Sequence, residues 1–273
     1  MLKEAFLKAL IEEDIGRGDL FARISTSKPI RAYIIAKSNG VFAGQEYVAT
    51  LANMYGLSLE WHVQDGEMFK KGEKLLFISG DSKMILSLER SILDMVLHAS
   101  SIATLTAQYV EAIKDTGVKL LDTRKTRPLL RAFEKYAVRC GGGINHRMGL
   151  DDCLMLKDTH LKTIDNLDVF MKEVRQKIPF TSKVEIECEN IAMVKKAMKA
   201  GADIVMCDNM RLEEIKAVVT YRDENYSHIL LEASGNVTLD TIEEIARTGV
   251  DAISSGSVIH QANWIDLSMK VEG

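Results

Sequence analysis

The sequence predicts an α/β protein whose larger, C-terminal part is a six-stranded, open α/β barrel preceded by a smaller α+β domain. Beyond Gly117, six short apolar runs alternate with helical segments, and every run ends in polar or charged residues. Strands that alternate with helices are parallel and are joined by right-handed crossovers. A doubly wound open sheet also fits this alternation. We prefer the barrel because polar residues that close all six strands would meet at one mouth.

The N-terminal domain is expected to span residues 1–104. A helical pattern at 2–13 precedes an alternating, strand-like run at 31–37, and residues 59–80 resemble short strands joined by Asp-Gly and Lys-Gly turns. An almost unbroken helical pattern covers residues 83–114. We expect this long helix to pass from the first domain into the second.

The barrel domain is expected to span residues 105–260. Two of its helical segments end in Gly201 and Gly249, a usual helix stop. The segment 261–273 is expected to pack back on the first domain. The six strand-like runs of the barrel are residues 118–125, 153–160, 183–190, 203–209, 228–236 and 250–257.

Composition narrows the class of protein. A hydrophobic fraction of 47% and a charged fraction of 27% are ordinary for a globular protein. No apolar run reaches the roughly 18 residues that span a bilayer, and the N-terminus lacks the apolar core of a signal peptide, so we expect a cytoplasmic protein without membrane partners. The net charge of −4 argues against a nucleic-acid partner. Four scattered cysteines indicate reduced thiols rather than disulfides or a zinc site.

A basic island stands out in this mildly acidic chain. Between Asp122 and Arg147 there are seven Lys/Arg against two Asp/Glu, a local charge of +5. A short cationic stretch at the mouth of a barrel predicts a small anionic ligand.

Side-chain alternation along the strands predicts an inward-facing set, which consists of Arg124, Lys157, Glu187, Asp208 and Ser234. Charges inside a barrel are costly unless they are paired or bind a ligand, so the alternative is a structural ion-pair network.

The order of residue types along the six strands favours a ligand. Cations come first, carboxylates follow, and the last two strands end in small residues, Ser234–Asn236 and Ser255–Ser257, whose backbone N–H groups can approach an anion. The expected ligand has carboxylates at one end, hydroxyls or a divalent cation in the middle, and phosphate at the other.

The stretch LDTRKTRPLLRAFEKYAVRCGGGINHRMGLDDCLMLKDTHL at 121–161 closely resembles the central signature of the quinolinate phosphoribosyltransferase family. EDIGRGD near the start and EIECEN, CDN, EASGN and ISSGS at the later strands extend the resemblance over the chain. It implies an N-terminal α/β sandwich domain followed by a six-stranded α/β barrel. It also implies that quinolinate and phosphoribosyl pyrophosphate (PRPP) are converted to nicotinate mononucleotide, CO₂ and pyrophosphate in de novo NAD biosynthesis, with Mg²⁺ and no organic cofactor.

The resemblance also assigns residues. The dicarboxylate pocket would contain Arg124, His146, Arg147 and Lys157, with Arg90 supplied by a neighbouring subunit of a homodimer that could assemble further into a hexamer. The phosphoribosyl half would be bound by Lys125, Glu187, Asp208, Ser234, Gly235, Asn236, Ser255, Gly256 and Ser257, with Thr123 beside it. Lys125, Lys157, Glu187 and Asp208 are the expected catalytic residues, and Glu187 and Asp208 the expected Mg²⁺ ligands, directly or through water or PRPP. Thr123 and Lys125 would point away from Arg124 on an ideal strand, so the strand must end or twist there.

Three positions depart from the family pattern. Arg127 and Leu129 occupy places where Thr and Gly are common, and Ser101 stands where Gly is common. These departures put local backbone geometry in question. The competing functions are a related protein of molybdenum transport loci, a sugar-phosphate lyase or aldolase that forms a Schiff base on Lys157, and a non-catalytic sugar-phosphate binding module.

Overall fold

The computed structural model describes residues 2–273, which form two compact units. One unit contains the chain up to Ala107, the segment Tyr136–Gly142 and the segment Ala262–Gly273, and the other contains Gln108–Lys135 and Gly143–Gln261. The segment Tyr136–Gly142 belongs to the first unit, whereas the predicted division places it in the barrel domain, residues 105–260. The physical reason for the difference is the Tyr136 hydroxyl, which donates to the Asp65 carboxylate and accepts the backbone N–H of Gly44.

The first unit is built on a four-stranded antiparallel sheet with the strand order β12-β1-β5-β3. Burial alternates along β1 because one face of the strand packs on the core. Strand β12 pairs with β1 from Ala32↔Val271 to Ala36↔Leu267, so the C-terminal segment joins this sheet. The elements are α1 (Leu2–Ile15), α2 (Leu20–Ile24), β1 (Pro29–Ala36), β2 (Gly40–Val41), α3 (Gln45–Tyr55), β3 (Ser58–Trp61), β4 (Met68–Phe69), β5 (Lys74–Asp81), α4 (Ser82–Ile113) and β12 (Leu267–Val271).

The second unit alternates strands and helices throughout. All five strand pairings are parallel. Its elements are β6 (Lys119–Leu121), α5 (Arg131–Cys140), β7 (Leu154–Leu156), α6 (Asp158–Leu161), α7 (Leu167–Lys177), β8 (Val184–Cys188), α8 (Ile191–Lys199), β9 (Ile204–Asp208), α9 (Leu212–Asn225), β10 (Leu230–Ser234), α10 (Ile242–Ala246), β11 (Ala252–Ser254) and α11 (Ser257–His260). Helix α5 begins in the stretch Gln108–Lys135 of this unit, and its last five residues belong to the segment Tyr136–Gly142 of the first unit.

The strand order decides between a barrel and an open doubly wound sheet. The order is β6-β11-β10-β9-β8-β7, so the first strand lies beside the last and the others follow in chain order. A doubly wound sheet instead reverses its order near the middle. The predicted six-stranded open barrel is confirmed, and within residues 2–273 it is open between β6 and β7.

The glycines that end helices α8 and α10 behave as the sequence predicts. Gly201 and Gly249 follow these helices with φ of +87° and +97°, a conformation that glycine adopts without a steric penalty. Each allows the chain to turn sharply into the next strand. None of the helices between residues 2 and 273 combines the length and the apolar character needed to cross a membrane.

Each of the three departures from the family pattern has a local account. Leu129 has φ of +65° and is 98% exposed, so a leucine occupies a left-handed position that glycine favours. Ser101 donates to the Leu97 carbonyl and accepts the N–H of Ile265, which fixes the start of the C-terminal segment. Arg127 donates to the buried carboxylate of Glu134 from both its backbone and its guanidinium.

Candidate active site

A cavity of about 480 Å³ lies at the carboxyl ends of the barrel strands, where all six strands present polar residues. Most of the sequence-predicted site residues line it. They are Thr123, Arg124, Lys125, His146, Arg147, Lys157, Glu187, Asp208, Ser234, Gly235 and Asn236.

The cavity is also lined by four residues that are not among the predicted ones, Met155, Met206, Asn209 and Ser254. The two methionines stand two residues before Lys157 and Asp208, so strand alternation places them on the same face and could have identified them. Asn209 and Ser254 each adjoin a predicted loop or strand end, a weaker signal.

The first strand ends early enough to expose all of its basic segment. Strand β6 stops at Leu121, and the Thr123 hydroxyl accepts the N–H of Lys125 at 3.0 Å in the loop that follows. Residues 123–125 therefore lie outside the strand, and their side chains do not alternate between its two faces. This confirms the expectation that the strand must end for Thr123, Arg124 and Lys125 to line one cavity.

A buried ion pair holds the second basic segment in place. Lys135 and Asp122 are both fully buried and their charged groups are 2.5 Å apart. The Lys135 ammonium also donates to the carbonyls of His146 and Arg147, at 2.7 and 3.0 Å. The Asp122 carboxylate accepts the N–H of His146 and the amide of Asn145. These five contacts therefore fix the backbone from which two cavity side chains project.

The two arginines of the cavity stand close to one another. Arg147 is 9% exposed and its guanidinium donates to the Cys153 carbonyl at 2.9 Å. Burial, and then the positive charge of Arg124, lower the pKa of Arg147. The buried Nε of Arg124 has no hydrogen-bond partner among the described residues. The cavity thus holds more positive charge than its own side chains neutralise locally.

A cluster of one histidine and two glutamates lies beside Arg147. The Nε2 atom of His146 is 3.1 Å from a carboxylate oxygen of Glu185 and 3.3 Å from one of Glu232. Both glutamates are buried, and burial raises the pKa of Glu185. The three side chains bring possible ligand atoms within 4.8 Å of one another, close enough in principle to hold a metal ion.

Lys157 and Glu187 form an ion pair across neighbouring strands. Their charged atoms are 2.5 Å apart, Lys157 from the end of β7 and Glu187 from β8. The pair is partly open to solvent, with 43% of the Lys157 side chain exposed. Because the Lys157 ammonium is open to solvent, it can exchange Glu187 for a ligand at small cost.

The far side of the cavity is shaped by two left-handed asparagines and a glycine. Asn209 and Asn236 have φ of +52° and +50°, and the Asn236 amide donates to the Asn209 side-chain oxygen at 2.9 Å. Gly235 has φ of +94°, and a Cβ there would lie 2.3 Å from the same oxygen. The Asp208 carboxylate accepts from Asn209 at 2.9 Å. The turn therefore requires glycine, and its backbone lies open to a ligand.

Four predicted residues do not line the cavity. Ser255 and Ser257 each donate a hydroxyl to the Val237 carbonyl, at 3.3 and 3.4 Å, and a Cβ on Gly256 would be 3.3 Å from the Lys125 side chain. The Ser255–Ser257 loop therefore lies behind Lys125 in this state. Arg90 is exposed on α4, where its guanidinium is 3.3 Å from Asp94.

An open barrel of six parallel strands, with a mouth that carries clustered cations, two carboxylates and a glycine turn, defines an α/β-barrel enzyme for small anionic substrates. Residues 102–270 match the sequence model of the C-terminal domain of quinolinate phosphoribosyl transferase, and residues 19–100 match that of its N-terminal domain. The chain belongs to the quinolinate phosphoribosyltransferase family.

Individual relatives agree over nearly the whole chain. A probable nicotinate-nucleotide pyrophosphorylase (carboxylating) of Synechocystis sp. is 38% identical, over 98% of this chain and 92% of the relative. The crystal structure of NadC from Streptococcus pyogenes superimposes with a TM-score of 0.92 at 36% identity, over 98% of this chain and 96% of that one. The nicotinate-nucleotide pyrophosphorylase structure from Francisella tularensis superimposes with a TM-score of 0.91 at 33% identity, over 99% of this chain and 96% of that one. The function of the chain is that of a quinolinate phosphoribosyltransferase, a pentosyltransferase of NAD biosynthesis.

Proposed function

We propose that quinolinate and PRPP meet in the cavity at the barrel mouth, and that Arg124 and Arg147 bind the quinolinate dianion there. The observation that carries this proposal is the buried Nε of Arg124, which has no hydrogen-bond partner within residues 2–273 and lies beside a second guanidinium. Two like charges in a half-buried site repel each other, and a dianion relieves this repulsion. Guanidinium groups bind carboxylates through paired, charge-assisted hydrogen bonds.

His146 and Lys157 complete the dicarboxylate half of the proposed site. Lys157 is paired with Glu187 in the free protein. A quinolinate carboxylate that approaches Lys157 would compete for its ammonium and release Glu187 toward the ribose. This exchange would couple the two halves of the cavity without any movement of the strands.

The phosphoribosyl half is assigned to the remaining strand ends. Lys125, Glu187 and Asp208 face the cavity, and the turn Ser234–Asn236 offers backbone N–H groups in a left-handed arrangement that suits phosphate oxygens. The Ser255–Ser257 loop would support Lys125 from behind, because Gly256 leaves room for the lysine stem.

Mg²⁺ belongs to this proposal because its preferred ligands are carboxylate, phosphate and water oxygens. Glu187 and Asp208 supply carboxylates from the ends of two neighbouring strands that line one cavity, so the donor set fits the ion. When bound with PRPP, the ion supplies positive charge to the departing pyrophosphate.

The proposed chemistry needs positioning more than acid–base help. The pyridine nitrogen forms a bond to the ribose C1 while the bond from C1 to the pyrophosphate oxygen breaks. Glu187 and Asp208 are placed to stabilise positive charge that develops on the ribose. The resulting pyridinium accepts the electron pair when the bond from C2 to its carboxylate breaks and CO₂ leaves, and C2 then takes a proton. The substrate itself is the electron sink, so no organic cofactor is needed.

The proposed active unit is a homodimer in which Arg90 of one subunit reaches the cavity of the other. Support comes from the 60% exposure of the Arg90 side chain on α4, whose ion pair in the described part of the chain is the i,i+4 contact to Asp94. Such a contact on a helix surface is weak and is readily exchanged for a substrate carboxylate.

The decisive assay combines the purified protein with quinolinate, PRPP and Mg²⁺. We expect nicotinate mononucleotide, CO₂ and pyrophosphate in equal amounts, and no turnover of nicotinate. Turnover of nicotinate instead of quinolinate would overturn the assignment. Trapping of a substrate adduct on Lys157 with borohydride would indicate the aldolase alternative. PRPP binding without pyrophosphate release would indicate a binding module.

Variants test the division of the cavity. Arg147→Ala and Lys157→Ala should each raise KM for quinolinate by about a hundredfold, since each removes a charge-assisted contact, while KM for PRPP changes little. Lys216→Ala, which removes an exposed cation on α9, is the matched control. Equal increases in KM for both substrates would contradict a cavity divided into a dicarboxylate half and a phosphoribosyl half.

A further inference from the structure

We infer that the outer face of the barrel carries a second binding site, which takes a small monoanion with an apolar body, such as an aromatic monocarboxylate. The site is a pocket of about 140 Å³ between strand β8 and the helices that cover it. Its lining includes Leu161, Leu167, Ile186, Cys188, Met193 and Lys196, and these residues define the outer pocket. The inference goes beyond the proposed function, because no step of that reaction involves the outer pocket.

Strand β8 separates the outer pocket from the cavity at the barrel mouth. Glu187 lines the cavity, whereas its neighbours Ile186 and Cys188 line the outer pocket. Successive side chains of a strand point to opposite faces, so the two sites lie on the two faces of β8. Within residues 2–273 their linings share no residue.

The outer pocket exists because the helical layer over β8 is interrupted. Helix α6 is a single turn, and α7 begins only after a loop that contains Ile164. Ile186 and Cys188 are fully or almost fully buried, whereas Ile164 and Met193, which also line the pocket, are partly exposed. The pocket therefore has its floor on β8 and opens between this loop and α8.

The floor of the outer pocket is apolar and uncharged. The Cys188 thiol donates to the Ile186 carbonyl at 3.7 Å, and burial raises the pKa of this thiol to about 12, so it stays neutral. An apolar cavity of roughly 150 Å³ stays dry and binds a benzene-sized molecule. Such a molecule gains dispersion contacts with walls that otherwise have no partner atoms on one side.

Lys196 of α8 gives the outer pocket its charge. The side chain lines an apolar pocket and is nevertheless exposed, so its aliphatic stem covers the wall and its ammonium stays in water at the opening. Within the described residues Lys196 forms no ion pair, whereas Lys162 of α6 is paired with Asp158 at 3.1 Å. An anionic group at the opening would meet this available charge while its apolar body fills the pocket.

Carbon-13 NMR of the methionine methyl groups in the whole protein observes both sites in one titration with benzoate. Met193 reports on the outer pocket, and Met155 and Met206 report on the cavity at the barrel mouth. Each signal is assigned by its loss in Met193→Leu, Met155→Leu or Met206→Leu. We expect the Met193 signal to shift and to saturate with a Kd of about 1 mM, as suits a ligand of this size.

Two results of this titration would overturn the inference. The first is a Met193 signal that does not move up to about 20 mM benzoate, well above the expected Kd. The second is a shift of Met155 or Met206 without one of Met193, which would place benzoate at the barrel mouth alone. Both results come from the wild-type protein, so they do not depend on whether a variant folds.

Variants separate the shape of the outer pocket from its charge. Ala197 lines the pocket, and Ala197→Leu fills part of it, so benzoate should bind at least about tenfold more weakly. Lys196→Gln should weaken benzoate about two- to fivefold, the effect of an exposed charge pair, and leave the neutral benzyl alcohol unchanged. Lys199→Gln, which removes an exposed cation outside the lining on the same helix, is the matched control. Unchanged benzoate affinity in a folded Ala197→Leu protein contradicts the location, and unchanged affinity in Lys196→Gln contradicts the anionic ligand.

Discussion

Replacing Lys135 by methionine should destabilise the protein by about 3–5 kcal/mol, the usual cost of removing one partner from a buried ion pair. The structure supports the upper part of this range. Lys135 and Asp122 are fully buried, and the ammonium donates to three acceptors: Asp122 and the carbonyls of His146 and Arg147. Methionine replaces the aliphatic stem of lysine and lacks only the terminal nitrogen, so the loss comes mainly from the uncompensated carboxylate and two weakened carbonyls rather than from a cavity.

The same geometry predicts how the loss can be recovered. Burial is the largest cause both of the raised pKa of Asp122 and of the lowered pKa of Lys135, so the cost of burying the two charges exceeds their attraction. The double variant Asp122→Asn/Lys135→Met removes both charges and should regain about 1–2 kcal/mol relative to Lys135→Met alone.

The deficit of Lys135→Met should also depend on pH. A carboxyl whose pKa is raised in the folded state is destabilising when ionised, and this penalty shrinks as the pH falls from the folded pKa toward the unfolded one. Asp122 without its lysine has a pKa that is higher still. The destabilisation should therefore be smaller at about pH 5 than at about pH 8.

Urea unfolding of the four proteins at both pH values is the assay, with the exposed Lys172→Met on α7 as a control that changes stability by less than about 0.5 kcal/mol. A loss below about 1 kcal/mol in Lys135→Met, or a double variant less stable than the single one, would refute the reasoning. KM for quinolinate should rise in Lys135→Met, because the segment that presents His146 and Arg147 loses its anchor.

Four further predictions follow from individual contacts. Arg147→Lys keeps the charge but loses the planar fork, so KM for quinolinate should rise about tenfold; an unchanged KM contradicts bidentate binding. Gly235→Ala places a Cβ 2.3 Å from the Asn209 side-chain oxygen, and PRPP affinity measured by calorimetry should fall about tenfold, whereas unchanged binding would show that the turn adapts. Leu129→Gly relieves a left-handed leucine and should raise the free energy of unfolding by about 0.5–1 kcal/mol in urea titrations; a decrease would show that chain entropy dominates. At a quinolinate concentration far below the raised KM, Arg90→Ala and Arg147→Ala should each be nearly inactive, and mixing them should restore about a quarter of the activity if Arg90 acts across a dimer, and none if it does not.

The order of the barrel elements could be predicted from the sequence because local patterns encode it. Apolar runs of strand length, polar residues at their ends, and glycines such as Gly201 and Gly249 are signals within a few residues of the chain. The strand-end position of Lys157, Glu187 and Asp208 follows from the same local signals, and the structure brings these three residues together.

The position of residues 123–125 could not be predicted from local sequence patterns. An ideal strand would have separated Thr123 and Lys125 from Arg124, and only the end of β6 at Leu121 places all three on one cavity. The seven cations of the basic island also divide in a way that charge alone does not predict. Lys135 is buried against Asp122, and Arg127 is paired with Glu134, so neither faces the cavity.

The sequence by itself determined the class of fold, the family and the set of residues at the strand ends, because hydrophobic period and motif spacing are properties of neighbours along the chain. The tertiary structure decided which buried groups act on one another. Glu185 and Glu232 meet His146 only because the β8-β9-β10 register pairs them with Ile204 and Met206, which lie on one face of β9, and a shift of one residue would turn either glutamate to the other face of its strand. The surroundings of His146 therefore depend on the pairing of strands that lie far from it in the chain, which no local pattern encodes.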